Sequence, residues 1–464
     1  MSTISLKQRI WGWMAFDWAT QPFYTLGLTF VFGPYFAAVS LEYFQGIIAD
    51  DRGAKAASQS LWFWGQTVAG LLIAFTAPLI GAYADSTGKR MRWIVGFSII
   101  YAIGTACLWY TLPDASTLFL MLIVFNIAFI AAEFALIFTN AILPSLGSKK
   151  EVGRISGNGA ALGYWGGVVA LFMMLLLFAE NESGKTLLGI DPLFGLDASA
   201  REGTRSVGPF ITIWFAVFMI PFFFWVREDE EPNRSGGFSQ AISDLKRSLA
   251  GAWERKSLLN FLLSSMFYRD ALNALYSAGG VFATLVLGWS IIQIGVFGIV
   301  GAITAAVATQ IGGIFDSKLG PKPVIRICCY LLILVCTIIV GMSRESFFGL
   351  PIPEGSPIPD AVFYVCGSII GGAGGALYAA SRSMMVRHTD PARPTEAFGL
   401  FALSGKATSF LAPMTIAIFT MVTGSAQLGY LPVILLFIAG LYLLKFVLSE
   451  GDKEEWSEEA IPAP

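Results

Sequence analysis

Long apolar runs recur along nearly the whole chain, and they constrain its fold more than any other feature. A helix needs about 20 mostly apolar residues to cross a bilayer. Twelve runs reach about that length, at residues 11–39, 61–85, 92–112, 116–139, 157–180, 207–226, 257–288, 290–315, 323–343, 361–386, 397–422 and 427–448. With 55% hydrophobic and 13% charged residues, the chain also has the composition of a membrane protein. The sequence predicts an all-α integral membrane protein with twelve transmembrane helices.

Lys and Arg residues gather in alternate loops between these runs, which predicts the orientation of the chain. The richer loops lie after the second, fourth, sixth, eighth and tenth runs. By the positive-inside rule, both termini are expected in the cytoplasm. Lys7 and Arg9 precede the first run, and no small-residue cleavage site follows it. We therefore expect a retained first helix rather than a signal peptide.

A polar segment divides the runs into six and six, which predicts two six-helix halves at residues 1–226 and 257–448. Residues 227–256 would form a cytoplasmic linker, and the acidic residues 449–464 a solvated cytoplasmic tail. Within the linker, apolar residues follow a helical spacing that predicts a helix along the membrane surface. These residues are Phe238, Ile242, Leu245, Leu249 and Trp253.

The sequence lacks the residue patterns typical of metal-binding proteins, nucleic-acid-binding proteins and intramembrane enzymes. The five cysteines lie in apolar runs without a C-x-x-C pair, and the one histidine, His388, is expected at a solvated membrane edge. We therefore expect no metal and no cofactor. A net charge of −2 without a basic stripe argues against nucleic acid as a partner. The sequence has no H-E-x-x-H, G-x-S-x-G or phosphate-binding G-x-x-x-x-G-K-[ST] motif, which argues against an intramembrane enzyme.

A short motif occurs at the same place in each half, after the second and eighth runs. The two copies are GAYADSTGKR at residues 81–90 and GGIFDSKLGPK at residues 312–322. Glycine permits tight turns, and an aspartate can meet helix N-termini or basic side chains. We therefore predict conformational-gate loops that contain Gly81, Asp85, Gly88, Lys89, Arg90, Gly312, Asp316 and Gly320.

Twelve helices in two halves with this repeated motif resemble the major facilitator superfamily of secondary transporters. The second copy departs from the superfamily pattern, with an extra residue before Gly320 and Pro321 where a base is usual. MAFDWATQPFY, GRISGNGAALGYWGG, FYRDALNAL and FGLFALSGKATSFLAP resemble the branch that includes fungal vacuolar (autophagy-related) amino-acid effluxers and bacterial relatives. The resemblance implies gradient-driven solute transport by one chain, so that a monomer suffices, and a location in the bacterial inner membrane. It also implies that helices 1, 4, 7 and 10 line a central cavity.

Six acidic or basic residues lie at membrane depth, away from the ends of the predicted helices, where such residues are rare and usually functional. Five of them fall on helices 1, 4, 7 and 10, which places them in a water-filled cavity. Two amides beside them need partners at that depth. We therefore predict a substrate and coupling site formed by Asp17, Gln21, Glu133, Arg269, Asp270, Asn273, Arg382 and Lys406.

Arg269 and Asp270 are neighbours in sequence but point about 100° apart on a helix. Each is therefore expected to pair with another helix: Arg269 with Asp17 or Glu133, and Asp270 with Lys406 or Arg382. These charges either form gating salt bridges or bind the substrate and a proton. A cavity with both signs suits a zwitterion. For a proton site, Glu133 is favoured over Asp270 because no base adjoins it in AAEFAL.

Small residues and prolines predict how some helices pack and bend. Gly159, Gly163 and Gly167, and likewise Gly371 and Gly375, each share one helical face, as in close helix packing. Pro22 and Pro34 are expected to kink the first helix.

The leading hypothesis is a secondary active transporter that moves a small polar, amino-acid-like solute by alternating access, either coupled to protons or not. A facilitator and a lipid-moving member of the same fold remain as alternatives. The expected partners are the solute, protons in the coupled case, and membrane lipid.

Overall fold

The computed structural model consists mainly of helices. It describes residues 4–49, 51–87, 90–181, 183–227, 250, 253–287, 289, 291–389, 397–398, 400–401, 404–405, 408, 411–423 and 427–451. In the first part of the chain the helices are α1 (Leu6–Pro22), α2 (Phe32–Gln45), α3 (Asp51–Thr87), α4 (Arg90–Cys107), α5 (Leu118–Asn140), α6 (Lys149–Leu177), α7 (Glu202–Arg205), α8 (Val207–Phe218) and α9 (Ile220–Trp225). In the second they are α10 (Lys256–Leu285), α11 (Ile291–Leu319), α12 (Pro321–Val340), α13 (Ile358–Arg387), α14 (Leu411–Thr423) and α15 (Leu431–Leu444).

The all-α membrane class predicted from the sequence is confirmed. In the described part of the chain, eight helical segments are long and apolar enough to cross a bilayer. The number twelve stays a prediction. A two-stranded antiparallel hairpin between α12 and α13 interrupts the helices, with β1 at Ser346–Phe347 and β2 at Leu350–Pro351. The predicted surface helix of the linker and most of the acidic tail lie outside the described residues.

The first membrane segment is not a regular helix. A capping box begins α1, with Ser5 Oγ accepting from the Gln8 N–H and Gln8 Oε1 accepting from the Ser5 N–H. A π-helix, Phe23–Phe30, starts directly after Pro22, which has no N–H to donate. The backbone leaves helical geometry at Val31, and α2 then begins with Pro34 in its first turn. The chain thus departs from α-helical geometry after Pro22 and just before Pro34, and the predicted kinks at these prolines stay a prediction.

The chain divides into two compact units. Unit 1 contains residues 1–73, 91–136 and 162–228, and unit 2 contains residues 74–90, 137–161 and 229–464. The boundary at residues 228–229 falls in the predicted linker, whereas residues 74–90 and 137–161 group with the second part of the chain. The predicted six-helix halves stay a prediction.

Unit 1 is held together by aromatic packing and by close approach of α6 to α1. The rings of Trp18 and Trp214 stack with centroids 5.6 Å apart, and those of Phe23 and Phe125 stack at 5.3 Å. A β-carbon at Gly163 would lie 3.0 Å from the Asp17 carbonyl oxygen. Such proximity requires a residue without a side chain, which confirms the predicted role of Gly163 in helix packing.

In unit 2, glycines likewise allow close approach between α11 and α13. A β-carbon at Gly371 would overlap the carbonyl oxygen of Gly301, and one at Gly312 would lie 2.8 Å from the Ala376 β-carbon. The predicted packing role of Gly371 is therefore confirmed. The Ser264 hydroxyl also donates to the Gly440 carbonyl at 2.7 Å, which joins α10 to α15.

The expectation of a solvated histidine is wrong, because His388 is fully buried. Its Nδ1 lies 3.0 Å from the Met384 carbonyl oxygen, and its Nε2 lies 2.8 Å from Ser257 Oγ. The ring also stacks on Phe261, with centroids 5.6 Å apart. Position near a helix end does not imply exposure here, because Ser257 and Phe261 of α10 contact the imidazole ring.

Candidate functional site

In unit 1 the acid Glu133 is placed beside the irregular part of the first membrane segment. Tyr24 lies in the π-helix, and its hydroxyl donates to Glu133 Oε1 at 3.3 Å. Glu133 is on α5 and is partly exposed. π-Helical turns occur frequently at functional sites because they re-aim side chains. The carboxylate thus has a neutral hydrogen-bond donor and some access to solvent, which a proton carrier needs.

Asp17 and Gln21 lie one turn apart on α1, along the side that contacts α6. Gly163 packs against the Asp17 backbone, and a β-carbon at Gly167 would lie 3.0 Å from Gln21 Cγ. Gln21 Nε2 lies 3.5 Å from Thr25 Oγ1, a long hydrogen bond within the segment. The glycines of α6 therefore fix where both predicted site residues lie in unit 1.

Arg269, on α10, is surrounded by aromatic groups in unit 2. Its guanidinium carbon lies 4.1 Å from the ring centroid of Phe401 and 5.8 Å from that of Tyr378. One terminal nitrogen donates to the Phe401 carbonyl at 2.9 Å. The Tyr378 hydroxyl in turn donates to Asn273 Oδ1 at 2.5 Å. The predicted residues Arg269 and Asn273 are thus connected through Tyr378.

Asp270 has a different environment from its neighbour. Its side chain is fully buried, and Oδ2 accepts the backbone N–H of Ala412 at 3.0 Å. Ala412 is the second residue of α14, so the carboxylate lies at a helix N-terminus, where the helix dipole stabilises negative charge. Pairing of Asp270 with Lys406 or Arg382 stays a prediction, and Lys406 lies outside the described residues.

Arg382, on α13, connects three helical segments of unit 2. Its Nε donates to Ser156 Oγ at 2.9 Å, one terminal nitrogen donates to the Ser156 carbonyl at 2.8 Å, and the other donates to Asn140 Oδ1 at 3.2 Å. The Ser156 hydroxyl donates to the Ala379 carbonyl at 3.1 Å. One guanidinium thereby joins α13 to the end of α5 and the beginning of α6.

The second copy of the repeated motif contacts the beginning of α6. Asp316 is buried, Ser383 Oγ donates to its Oδ1 at 3.2 Å, and a β-carbon at Gly153 would lie 2.7 Å from that oxygen. Gly320 has a φ of 83°, and a β-carbon there would lie 3.4 Å from an Arg387 terminal nitrogen. Glycine is therefore favoured at this position by its positive φ, whereas the approach to Arg387 is an ordinary contact.

Most motif residues that we predicted in loops are helical. Gly81 is buried within α3, Gly312 and Asp316 are within α11, and Arg90 is the first residue of α4. Only one residue, Gly320, separates α11 from α12. Gly88 and Lys89 lie outside the described residues, as does the side chain of Asp85.

Two residues that the sequence analysis did not assign to the site, Ser156 and Phe401, are direct partners of its arginines. Ser156 lies in the small-residue stretch GRISGNGAALG, so its type signals close packing rather than binding. Arg269 donates to the Phe401 carbonyl, and Arg382 donates to the Ser156 carbonyl. Every residue has a backbone carbonyl, so residue type gives no sign of these contacts. The predicted pairing of Arg269 with Asp17 or Glu133 stays a prediction.

Comparison with known proteins gives the family. The sequence profile described as "Vacuole effluxer Atg22 like" matches residues 5–153 and 148–456, which together are almost the whole chain. The chain belongs to this Atg22-like family. It is 22% identical over 448 residues to the MFS-type transporter YxiO of Bacillus subtilis (strain 168), with 94% of each chain covered.

Fungal Atg22 proteins match over a smaller part. Autophagy-related protein 22 of Cryptococcus neoformans var. neoformans serotype D (strain B-3501A) is 23% identical over 326 residues, which cover 66% of this chain and 55% of that protein. The chain therefore spans about half the length of this fungal Atg22 protein.

Solved structures show the same fold. The human organic anion transporter MFSD10 superposes with a TM-score of 0.64 at 16% identity, covering 95% of this chain and 98% of that one. The proton:xylose symporter XylE superposes with a TM-score of 0.64 at 14% identity, covering 96% of each. The Atg22-like chain is thus a multi-pass membrane protein with the fold of the major facilitator superfamily, and it is a transporter of that superfamily.

Proposed function

We propose that this transporter moves a small zwitterionic, amino-acid-like solute by alternating access, with uptake or release coupled to protons. The observation that carries the proposal is the environment of Arg269. Within unit 2, its positive charge contacts a carbonyl and two aromatic faces, and its buried Nε has no hydrogen-bond partner among the described residues. A guanidinium in this state retains donors in a geometry suited to a carboxylate.

Arg269 would bind the carboxylate of the solute, and aromatic neighbours would exclude water around it. Tyr378 and Asn273 are already hydrogen-bonded to each other, so they hold one side of the guanidinium in place. The ammonium group of the solute requires an acid, and Glu133 or Asp17 would supply it. Low local dielectric strengthens each of these contacts relative to water.

Glu133 would carry the coupling proton, supported by its partial exposure and its neutral partner Tyr24. Asp270 is the second candidate, with a fully buried side chain whose carboxylate accepts the backbone N–H of Ala412. Protonation of Glu133 would remove the negative charge that attracts the ammonium group. Solute and proton would then compete for, or alternate at, the same acid.

Alternating access would use the contacts of Arg382 and of the repeated motif as the cytoplasmic gate. This assignment assumes two six-helix halves, cytoplasmic termini and a location in the bacterial inner membrane. In alternating access, a cytoplasmic gate opens as the opposite side of the transporter closes. The contacts of the gate must therefore be numerous enough to hold it shut, but each must be weak enough to break. Hydrogen bonds from Arg382 to Ser156 and Asn140, and glycine contacts that leave no interlocked side chains, meet this requirement.

The test is uptake of radiolabelled amino acids and small organic ions into proteoliposomes, with and without an imposed pH gradient. We expect gradient-stimulated flux of at least one zwitterion in the wild-type protein. Glu133→Gln should abolish the stimulation and weaken exchange of the zwitterion at equal pH, and Arg269→Lys should raise KM for the zwitterion. Asp114→Asn, at an exposed turn, is the control and should behave as wild type.

Three outcomes would contradict parts of the proposal. Wild-type flux that ignores the gradient would indicate a facilitator. Flux that Arg269→Lys leaves unchanged would remove that residue from the binding site. Absence of flux for every solute, together with movement of labelled lipid between leaflets, would indicate the lipid-moving alternative.

A further inference from the structure

The connection between α6 and α7 contains a short closed turn, which we call the apolar finger (residues 185–194). The Thr186 N–H donates to the Ile190 carbonyl at 2.8 Å, and the Gly189 N–H donates to the Thr186 carbonyl at 2.8 Å. Gly189 has a φ of 76°, which the tight turn requires and glycine supplies without strain. Lys185 Nζ and Asp191 Oδ1 form an ion pair at 2.7 Å across the base of the turn.

The side chains that this turn displays are large and apolar. Leu187 is 54% exposed, Leu188 57%, Ile190 41% and Phe194 88%. Single exposed apolar residues are common on proteins, but four within eight positions form a patch that usually marks an interaction surface. Farther along the connection, exposed side chains are polar, as at Asp197 and Ser199. The patch therefore belongs to the finger and not to the connection in general.

Backbone contacts fix the finger at the end of a membrane-spanning helix. The Leu187 N–H donates to the Leu175 carbonyl at 3.0 Å, and α6 ends at Leu177. The rings of Phe194 and Phe178 lie 6.0 Å apart by their centroids. The finger thus folds back beside the last turn of α6 instead of extending away from it. A bilayer crossed by α6 would have its headgroup boundary near this turn.

The connection beyond the finger is rigidly attached to unit 1. Buried Glu180 accepts the Thr204 N–H at 2.9 Å and the Thr204 hydroxyl at 2.6 Å, and Arg201 pairs with it at 3.0 Å. Arg205 donates to the Trp109 carbonyl at 2.8 Å. These contacts keep both ends of the connection in place, so that the finger is presented at a defined depth.

We propose that the apolar finger binds the lipid interface of the bilayer leaflet in which α6 ends. Leu187, Leu188, Ile190 and Phe194 would enter the acyl-chain boundary, and Lys185 and Asp191 would remain at headgroup level. An amphipathic surface element with these parts binds lipid by buried apolar area, with the charged groups left in water. This inference does not depend on the solute or on proton coupling.

The test measures the depth of single probes in nanodiscs that hold one copy of the protein. Leu188→Cys and Phe194→Cys are labelled with an environment-sensitive fluorophore, and Ser199→Cys in the same connection is the matched control. Four of the five native cysteines are buried, and the labelled wild type measures any background from the half-buried Cys107. Quenching is compared between lipids spin-labelled near the headgroup and aqueous iodide.

Lipid quenching several-fold stronger at residues 188 and 194 than at 199, with iodide quenching in the reverse order, is the expected result. Equal iodide quenching at all three positions would overturn the proposal. Protection that appears only when two copies share a disc would also overturn it, since the finger would then bind a second copy. Because a label can disturb the turn, hydrogen exchange of unlabelled residues 185–191 provides a second readout. It should be slower in nanodiscs than in short-chain detergent, and equal rates would count against lipid binding.

Discussion

Two neighbouring charges on α10 meet different surroundings, and this difference separates their roles. Arg269 is half-buried, with aromatic faces and a carbonyl around its guanidinium. Asp270 is fully buried, and its carboxylate accepts an N–H of α14. Burial of a charge within a membrane protein is costly unless the charge is paired or hydrogen-bonded. Our proposal therefore places the ligand at Arg269, whereas the Asp270 carboxylate contacts the first turn of α14.

The contact of Asp270 predicts a graded loss of stability. Asp270→Ala leaves the Ala412 N–H without its acceptor, which should cost about 1–3 kcal/mol. Asp270→Asn keeps an acceptor oxygen for that N–H and should therefore cost less than the alanine variant. In detergent, the melting temperature should therefore be highest for the wild type, lower for Asp270→Asn and lowest for Asp270→Ala. Equal melting temperatures for the two variants would show that the N–H contact contributes nothing.

His388 is the second residue whose role follows from hydrogen-bond directions. The Leu448 N–H donates to Ser257 Oγ, so the Ser257 hydroxyl is free to donate to Nε2 of His388. Nδ1 must then carry the proton that is donated to the Met384 carbonyl. Both ring nitrogens therefore have polar partners, which explains why a buried imidazole is tolerated.

The histidine network predicts coupling between two substitutions. His388→Leu removes both ring hydrogen bonds and should destabilise the protein by about 1–3 kcal/mol. Ser257→Ala removes one of the same bonds, so the double variant should lose less than the sum of the single losses. A double-mutant cycle from thermal unfolding should give a coupling of about 0.5–3 kcal/mol. Additive losses would mean that the two side chains do not form the bond.

At the level of helices, composition and run length predicted most of what the structure contains. Apolar runs found nearly every described helix because lipid requires long apolar segments with internally satisfied backbones. The π-helix at Phe23–Phe30 was not predicted, since a π-helix differs from an α-helix by its hydrogen-bond step and not by its residue types. The repeated motif was recognised, but its helical conformation was not, because its glycines also permit turns.

Contact between α11 and α13 gives a prediction about glycine. Gly371→Ala would place a methyl group against the carbonyl of Gly301, and a backbone group cannot move aside cheaply. We expect a loss of about 1–3 kcal/mol from overpacking. Gly279→Ala on α10 is the control, because its nearest neighbour would be a Phe297 ring atom at 3.7 Å, an ordinary contact.

Gly279→Ala should be neutral or stabilising by up to about 1 kcal/mol, since alanine is the better helix former. Melting temperatures of the two variants in the same detergent make the comparison. If both variants fell by the same amount, the effect would come from glycine in general and not from the contact between α11 and α13.

Over the whole molecule, the segment after α15 is attached to the ends of other helices. Lys322 donates to the Val447 carbonyl at 2.6 Å, and Arg387 donates to Ser449 O at 3.1 Å and to Glu450 Oε1 at 2.9 Å. Cations at the last carbonyls of a helix are favoured by its dipole. Residues 445–451 are therefore part of the folded unit 2, although the sequence predicted a solvated tail from residue 449.

This attachment predicts different results for two truncations. Removal of residues 452–464 leaves the contacts of Lys322 and Arg387 intact and should leave the melting temperature unchanged. Removal of residues 447–464 leaves the buried Arg387 guanidinium without its carbonyl and carboxylate partners, and should destabilise the protein by about 2 kcal/mol or more. Thermal stability measured by size-exclusion chromatography after heating distinguishes them. Equal stability of the two truncated proteins would contradict the attachment.

The candidate site was predictable in its residue types but not in its partners. Charges at membrane depth stand out in any apolar sequence, which is why Glu133, Arg269 and Arg382 were identified. Their partners are often backbone groups, such as the Phe401 and Ser156 carbonyls and the Ala412 N–H. Every residue carries such groups, so only the folded chain shows which of them are used.

The contact of Arg382 with Ser156 and Asn140 gives a prediction that separates a gate from a structural contact. Arg382→Lys keeps the charge but cannot donate in the planar geometry of a guanidinium. If the contact is a gate, the variant should populate the broken contact more, with hydrogen exchange several-fold faster at residues 149–161 and a lower transport rate. Exchange at residues 321–340 should not change. Arg326→Lys, at an exposed site on α12, is the control. The gate would be contradicted if Arg382→Lys were less stable but matched the control in solute exchange and in hydrogen exchange at residues 149–161. The contact would then be structural.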